Sequence, residues 1–120
     1  MKTIEKFVAF HMVVTDMVKA KEFYVDKLGF NVTKDYREDD HRWWVSLELP
    51  DGGPSLNLTT SPENMKPGTM KFYASTLDIE ATYKELKAKG IKLTSEIKDD
   101  SWGRWFGLND PDGNHWNIVQ

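Results

Sequence analysis

The strongest constraint on this chain is that it repeats itself. Asp16 to Asp78 is 62 residues, Gly29 to Gly90 is 61, and Asp39-Asp40 to Asp99-Asp100 is 60. Pro50-Asp51-Gly52 to Pro111-Asp112-Gly113 is 61, and Asn57 to Asn117 is 60. Five landmarks in the same order, each within one residue of a constant offset, mark one supersecondary unit used twice. Module one then covers about residues 5–60, the stretch 61–68 is a linker, and module two covers about 69–120.

Hydrophobic periodicity identifies the unit. Phe7 to Val14 is an apolar, β-rich run. Asp16 caps a helix whose Met17, Ala20, Phe23, Tyr24 and Leu28 fall on one face, and Gly29 stops it. Strands are expected at 30–37, 43–49 and 55–60, with Glu38-Asp39-Asp40 and Pro50-Asp51-Gly52-Gly53-Pro54 as turns. The second half repeats this plan. A strand at 69–76 leads to a helix capped by Asp78, carrying Ile79, Tyr83 and Leu86 on one face and ended by Gly90. Strands follow at 91–97, 104–108 and 115–119, with Asp110-Pro111-Asp112-Gly113-Asn114 as the last turn. Asp99-Asp100 falls in an expected solvated turn. The unit is βαβββ and the class is α+β.

Composition narrows the function. The 120 residues include no cysteine, which removes disulfide scaffolds, thiol catalysis and zinc–thiolate sites. A net charge of −3, with 19 acidic and 16 basic residues, leaves no basic patch for nucleic acid. His11 interrupts the longest apolar stretch, so neither a membrane span nor a signal-peptide core fits. A cytoplasmic domain is expected.

Two motifs at their separation carry a family resemblance. Asp16-Met17-Val18-Lys19-Ala20-Lys21-Glu22-Phe23-Tyr24 with Leu28-Gly29-Phe30 resembles the opening of vicinal oxygen chelate proteins, and Asp110-Pro111-Asp112-Gly113-Asn114 resembles their closing turn. This superfamily holds glyoxalase I, the fosfomycin and bleomycin resistance proteins, and extradiol dioxygenases. The resemblance implies two tandem βαβββ modules forming a curled mixed sheet around a cleft, and a homodimer. In metal-dependent members it also implies a divalent ion held by one residue from the first and last strand of each module.

In the family register those four positions fall on Ala9, Asn57, Phe72 and Asn117. Phe72 is obtained by counting six residues back from Asp78. None of the four is His, Glu or Asp. Alanine and phenylalanine offer no lone pair, and a carboxamide is a weak ligand. No cofactor is therefore expected at the usual site. A divalent metal would need displaced ligands: His11 shares a strand face with Ala9, His115 with Asn117, and Glu48 with Trp44 and Ser46. The alternative is that both histidines are ordinary hydrogen-bonded residues at the cleft edge.

Aromatic residues supply another chemistry. Trp44 and Trp105 each lie six residues before a turn proline and occupy corresponding positions, and Phe72 adds a third ring. Such rings hold planar or cationic ligands by stacking, or simply fill the inside of a curled sheet. A bulge would exchange the facing of Trp43 and Trp44. Tyr73 points away from the cleft if Phe72 points in.

Two functions follow as expectations. One is a bleomycin-resistance-like protein binding a small molecule without metal through Ala9, His11, Trp44, Asn57, Phe72, Trp105, His115 and Asn117. The other is a lyase- or dioxygenase-type enzyme using displaced ligands, or His11 as a general base.

Overall fold

The structure is a computed structural model and describes residues 3–61 and 64–120. It divides into two compact units, Met1–Lys66 and Pro67–Gln120. Of the expected linker, Pro62 and Glu63 lie outside the described residues.

The first unit runs β1 (Ala9–Val13), α1 (Met17–Lys21), a π-helical continuation (Glu22–Lys27), β2 (Asn31–Asp39), β3 (Arg42–Glu48) and β4 (Ser55–Thr59). Its sheet has the order β1-β4-β3-β2. β1 and β4 are parallel, and the other pairs are antiparallel. The second unit runs β5 (Lys71–Ser75), α2 (Ile79–Ala88), β6 (Lys98–Asp100), β7 (Gly103–Asn109) and β8 (His115–Val119), with sheet order β5-β8-β7-β6. Here β5 and β8 are parallel, and β6–β7 and β7–β8 are antiparallel. Each unit is the expected βαβββ module, with its own mixed four-stranded sheet.

The helix signals act as read. The Asp16 carboxylate accepts the Lys19 amide and the Asp78 carboxylate accepts the Ala81 amide, both at 3.1 Å, so each satisfies an orphan donor of the first turn. Gly29 and Gly90 end the helical segments at φ +80° and +79°, a region costly for residues with a Cβ.

Each sheet buries one face beneath its helix. In module one that face holds Met12, Val45, Leu47 and Leu58, all 1% exposed or less, and it meets Met17, Ala20, Phe23 and Tyr24 among the buried residues. In module two, Tyr83 of α2 meets Phe106 edge-on at 5.2 Å. Leu108, Trp116 and Ile118 alternate onto the same buried side.

The closing turn is built around a carboxamide. Asn114 is fully buried. Its amide NH2 donates to Asp110 Oδ2 at 2.8 Å, and its Oδ1 accepts the Met70 amide at 2.9 Å. Asp110 Oδ1 takes the amides of Asp112 and Asn114. The turn is thereby tied to the entry of β5.

Three expected elements differ. Glu38 and Asp39, expected in a turn, belong to β2, where Asp39 pairs with Arg42. The 91–97 stretch is not a regular strand; only Leu93 bridges to Leu108, and pairing resumes at Lys98. The Thr94 amide donates to the Gly107 carbonyl, but the Gly107 amide donates to the Ser95 hydroxyl, so a side chain replaces a backbone rung. Asp99 and Asp100, expected in a turn, lie in β6, where Asp99 accepts Arg104 Nε at 2.9 Å.

Candidate functional site

The helix-free face of each sheet carries most of the candidate site residues. Paired residues share a face, so the register assigns each side chain.

On module one, His11 pairs with Asn57, and Asn57 with Ser46. The Ser46 hydroxyl hydrogen-bonds Asn57 Oδ1, which turns the amide NH2 toward His11 Nδ1, 3.5 Å away. One rung on lies the row Val13, Thr59, Trp44, Tyr36. Ala9 pairs with Ser55 one rung the other way. Ala9, His11, Trp44 and Asn57 therefore share the helix-free face.

Trp43 faces the helix. Its indole Nε1 donates to Asp35 Oδ1 at 2.7 Å, the Arg37 guanidinium lies 4.2 Å from its ring, and Lys21 Nζ lies 5.6 Å from it. Asp35 also accepts Lys21 Nζ at 2.6 Å. The Lys21 ammonium, helped by the Trp43 indole and the Arg37 charge against partial burial, holds the Asp35 carboxyl below the usual carboxylate range.

On module two, Tyr73 pairs with Asn117, Asn117 with Gly107, and Trp105 with Val119. His115 pairs with both Lys71 and Asn109. The His115 ring bridges two carboxamides: Nδ1 lies 2.9 Å from Asn109 Oδ1 and Nε2 lies 3.2 Å from Asn117 Oδ1. Gly107 makes room for it. A Cβ there would come within 2.9 Å of His115 Cε1 and 2.4 Å of Thr94 Oγ1. Trp105 stacks on Trp102 with centroids 6.2 Å apart, and its Nε1 donates to Asp100 Oδ2 at 2.6 Å. Lys98 Nζ lies 5.6 Å from the Trp105 ring.

One expected site residue is on the wrong side. Phe72 pairs with Trp116, stacks on it at 4.3 Å and 25°, and belongs to the helix face. Tyr73 takes the helix-free position beside Asn117, the reverse of the expectation. The offset that carries Asp16 to Asp78 carries Ala9 to Lys71 and His11 to Tyr73, so counting seven residues back rather than six would have placed the face correctly. The same offset could have found Lys71. Ser46 was recognised on this face, whereas the roles of Gly107 and Asn109 appear only once the register is known.

Among the described residues, no group of three or more His, Cys, Asp or Glu side chains is gathered in a way that would hold a metal ion. No helix among them is long and apolar enough to cross a membrane.

Comparison with known proteins agrees with this architecture. The profile of the Glyoxalase/Bleomycin resistance protein/Dioxygenase superfamily matches residues 6–118, and the chain belongs to that superfamily. The Bacillus subtilis (strain 168) protein YetH is 31% identical over 105 residues, covering 84% of this chain and 86% of YetH. Among solved structures, TnmS3, an antibiotic binding protein from Streptomyces sp. CB03234, is 30% identical with a TM-score of 0.89, over 100% of this chain and 98% of that one. A glyoxalase/bleomycin resistance protein from the same strain is also 30% identical, with a TM-score of 0.80 over 95% and 99% of the two chains.

Proposed function

We propose that this protein binds a small organic molecule directly through its side chains on a helix-free sheet face, without a divalent ion. One observation carries the reading: the donor atoms at the family's cation positions are missing or already engaged. Ala9 has none, and its counterpart in module two is Lys71 rather than Phe72, an ammonium side chain that offers a cation no lone pair. Asn57 Oδ1 accepts the Ser46 hydroxyl, and the Asn117 amide lies against the His115 ring, its Oδ1 3.2 Å from Nε2. Neutral carboxamides already packed against protein partners are a poor fit for a divalent cation. Trp44 and Trp105 supply ring area on the same faces, and the likeness to an antibiotic binding protein adds support.

Titration of chelator-treated protein with a panel of small aromatic molecules, read by calorimetry, tests this. Binding should survive the chelator, the ligand should be recovered unchanged, and Trp105→Ala should weaken binding by about tenfold. Binding that appears only when nickel, zinc, manganese or iron is restored would overturn the reading.

Self-association belongs to the same proposal. β1 is a sheet edge, and Phe7 and Val8 just before it are 74% and 73% exposed. An apolar edge of this kind is normally covered by a partner. Light scattering should give a dimer that Val8→Lys weakens; a monomer at high concentration would refute this part.

A further inference from the structure

Asp51-Gly52 and Asp112-Gly113 are the two Asp-Gly pairs of the chain, and the repeat puts them at corresponding places in the β3–β4 and β7–β8 hairpins. An aspartate before glycine has an intrinsic reaction open to it. The glycine Cα carries no Cβ, so nothing shields its amide nitrogen from the carboxyl carbon of the preceding side chain. The two turns are locally alike. Gly52 and Gly113 both take a left-handed backbone, at φ +86° and +96°, and their amides donate to the carbonyls of Leu49 and Asp110 at 3.0 and 3.1 Å. Backbone conformation therefore does not distinguish them.

Anchoring does. Asp110 Oδ1 holds the amides of Asp112 and Asn114, and fully buried Asn114 ties Asp110 Oδ2 to the Met70 amide. The Gly68 backbone also closes on this turn: a Cβ on Gly68 would come within 2.1 Å of the Asp112 carbonyl oxygen. Module one has Leu49 where module two has Asp110, and Gly53 where it has Asn114, so both clamping side chains are missing. Residues 49–54 are exposed, and the Asp51 carboxylate makes no hydrogen bond or ion pair among the described residues. Chain neighbours apart, no heavy atom lies within 4 Å of where a Cβ on Gly52 or Gly53 would stand. Opening this loop costs the hydrogen bond from the Gly52 amide to the Leu49 carbonyl, whereas opening the other breaks a buried network.

We propose that Asp51 is a site of spontaneous isoaspartate formation, and that the Asp110–Asn114 clamp protects Asp112 from the same reaction. The Gly52 nitrogen attacks the Asp51 carboxyl carbon. The new N–C bond replaces a C–O bond, and the departing oxygen takes the carboxyl and amide protons away as water. Hydrolysis of the resulting succinimide puts that water back. Addition at the side-chain carbonyl restores aspartate. Addition at the main-chain carbonyl leaves the chain running through Cβ and Cγ, with a free α-carboxylate beside it. No oxidant or cofactor is consumed. The exposed loop tip accommodates the extra backbone atom, and the free α-carboxylate is the group that an isoaspartyl methyltransferase esterifies.

Ageing the intact protein at neutral pH and physiological temperature tests this, with isoaspartate detected by an isoaspartyl methyltransferase and a radiolabelled methyl donor and located by peptide mapping. In the folded protein isoaspartate should accumulate in the Asp51 peptide about tenfold or more faster than in the Asp112 peptide, and in urea the two rates should converge. Asp51→Glu should abolish the first signal. Asn114→Gly, which gives module two the Asp-Gly-Gly of module one, should raise the second by about tenfold. Equal accumulation at the two sites of the folded protein, an excess at Asp112, or none at Asp51 overturns the proposal. If Asn114→Gly does not fold, the contrast between folded and urea-unfolded protein tests the clamp; a folded Asn114→Gly chain with Asp112 still unmarked removes it.

Discussion

Ser46 and Gly107 occupy the same place in the two modules: each lies directly across a strand pair from an asparagine, Asn57 or Asn117. Only Ser46 offers that asparagine a hydroxyl. In module two the bare Cα leaves space for the His115 ring, which takes over the task from the neighbouring rung. One problem, fixing which way a carboxamide points, is solved by a side chain in one copy and by its removal in the other.

Gly107→Ala should therefore disturb module two out of proportion to one methyl group. The new Cβ would overlap Thr94 Oγ1 and crowd His115, and overpacking of this kind costs about 1–3 kcal/mol. Urea denaturation should show the loss, and the His115 ring signals should shift in the NMR spectrum. Unchanged ring signals would mean that the glycine does not set the ring position.

Asn114→Ala should be among the most damaging polar substitutions. It removes the acceptor of the Met70 amide and one partner of Asp110 Oδ2 in a fully buried position. Leaving the Met70 amide unpaired costs about 1–3 kcal/mol, so a fall of several degrees in Tm is expected by calorimetry.

Asp35 gives a pH prediction. Its carboxyl titrates below the usual range, so its contribution to stability is complete above that range. It is lost as pH falls through the depressed folded-state value. Lys21→Met removes the largest cause and should raise the Asp35 midpoint in a carboxyl NMR titration. A midpoint that does not move would show that Trp43 and Arg37 suffice.

The tryptophans should separate by role. Trp43→Ala opens the helix face and should cost about 3–5 kcal/mol. Trp105→Ala, on the helix-free face, should cost no more than about 1 kcal/mol while weakening ligand binding. Denaturant unfolding of the two variants, set beside their ligand titrations, checks this.

Much of the fold was legible because its signals are local. Asp16, Asp78, Gly29 and Gly90 act within one turn of where they stand, and the Asp110–Asn114 turn is closed by its own side chains. Facing was harder. Strand side chains alternate with a period of two, so a one-residue miscount exchanged Phe72 and Tyr73, and the same parity left Trp43 and Trp44 open until the register decided them. The 91–97 segment failed for another reason. Its β-branched and apolar residues suit a strand, but the Ser95 hydroxyl takes the Gly107 amide that a ladder would need. The acidic landmarks also proved not to be equivalent: Trp44 pairs with Tyr36 and Trp105 with Lys98, so Asp39-Asp40 and Asp99-Asp100 do not match rung for rung.

The π-helical turn at Glu22–Lys27 accounts for part of the drift in the repeat. From cap to terminal glycine, module one takes 13 residues (Asp16 to Gly29) and module two takes 12 (Asp78 to Gly90). A widened turn is how a helix absorbs a single inserted residue without rotating everything beyond it. The hairpin loops differ in the same sense, six residues between Glu48 and Ser55 against five between Asn109 and His115. The drift of the repeat from 62 to 60 thus largely reflects two one-residue differences in length between the copies, each lodged where the backbone could accommodate it. Shortening 22–27 by one residue should restore a regular helix and leave the sheet beneath it in register.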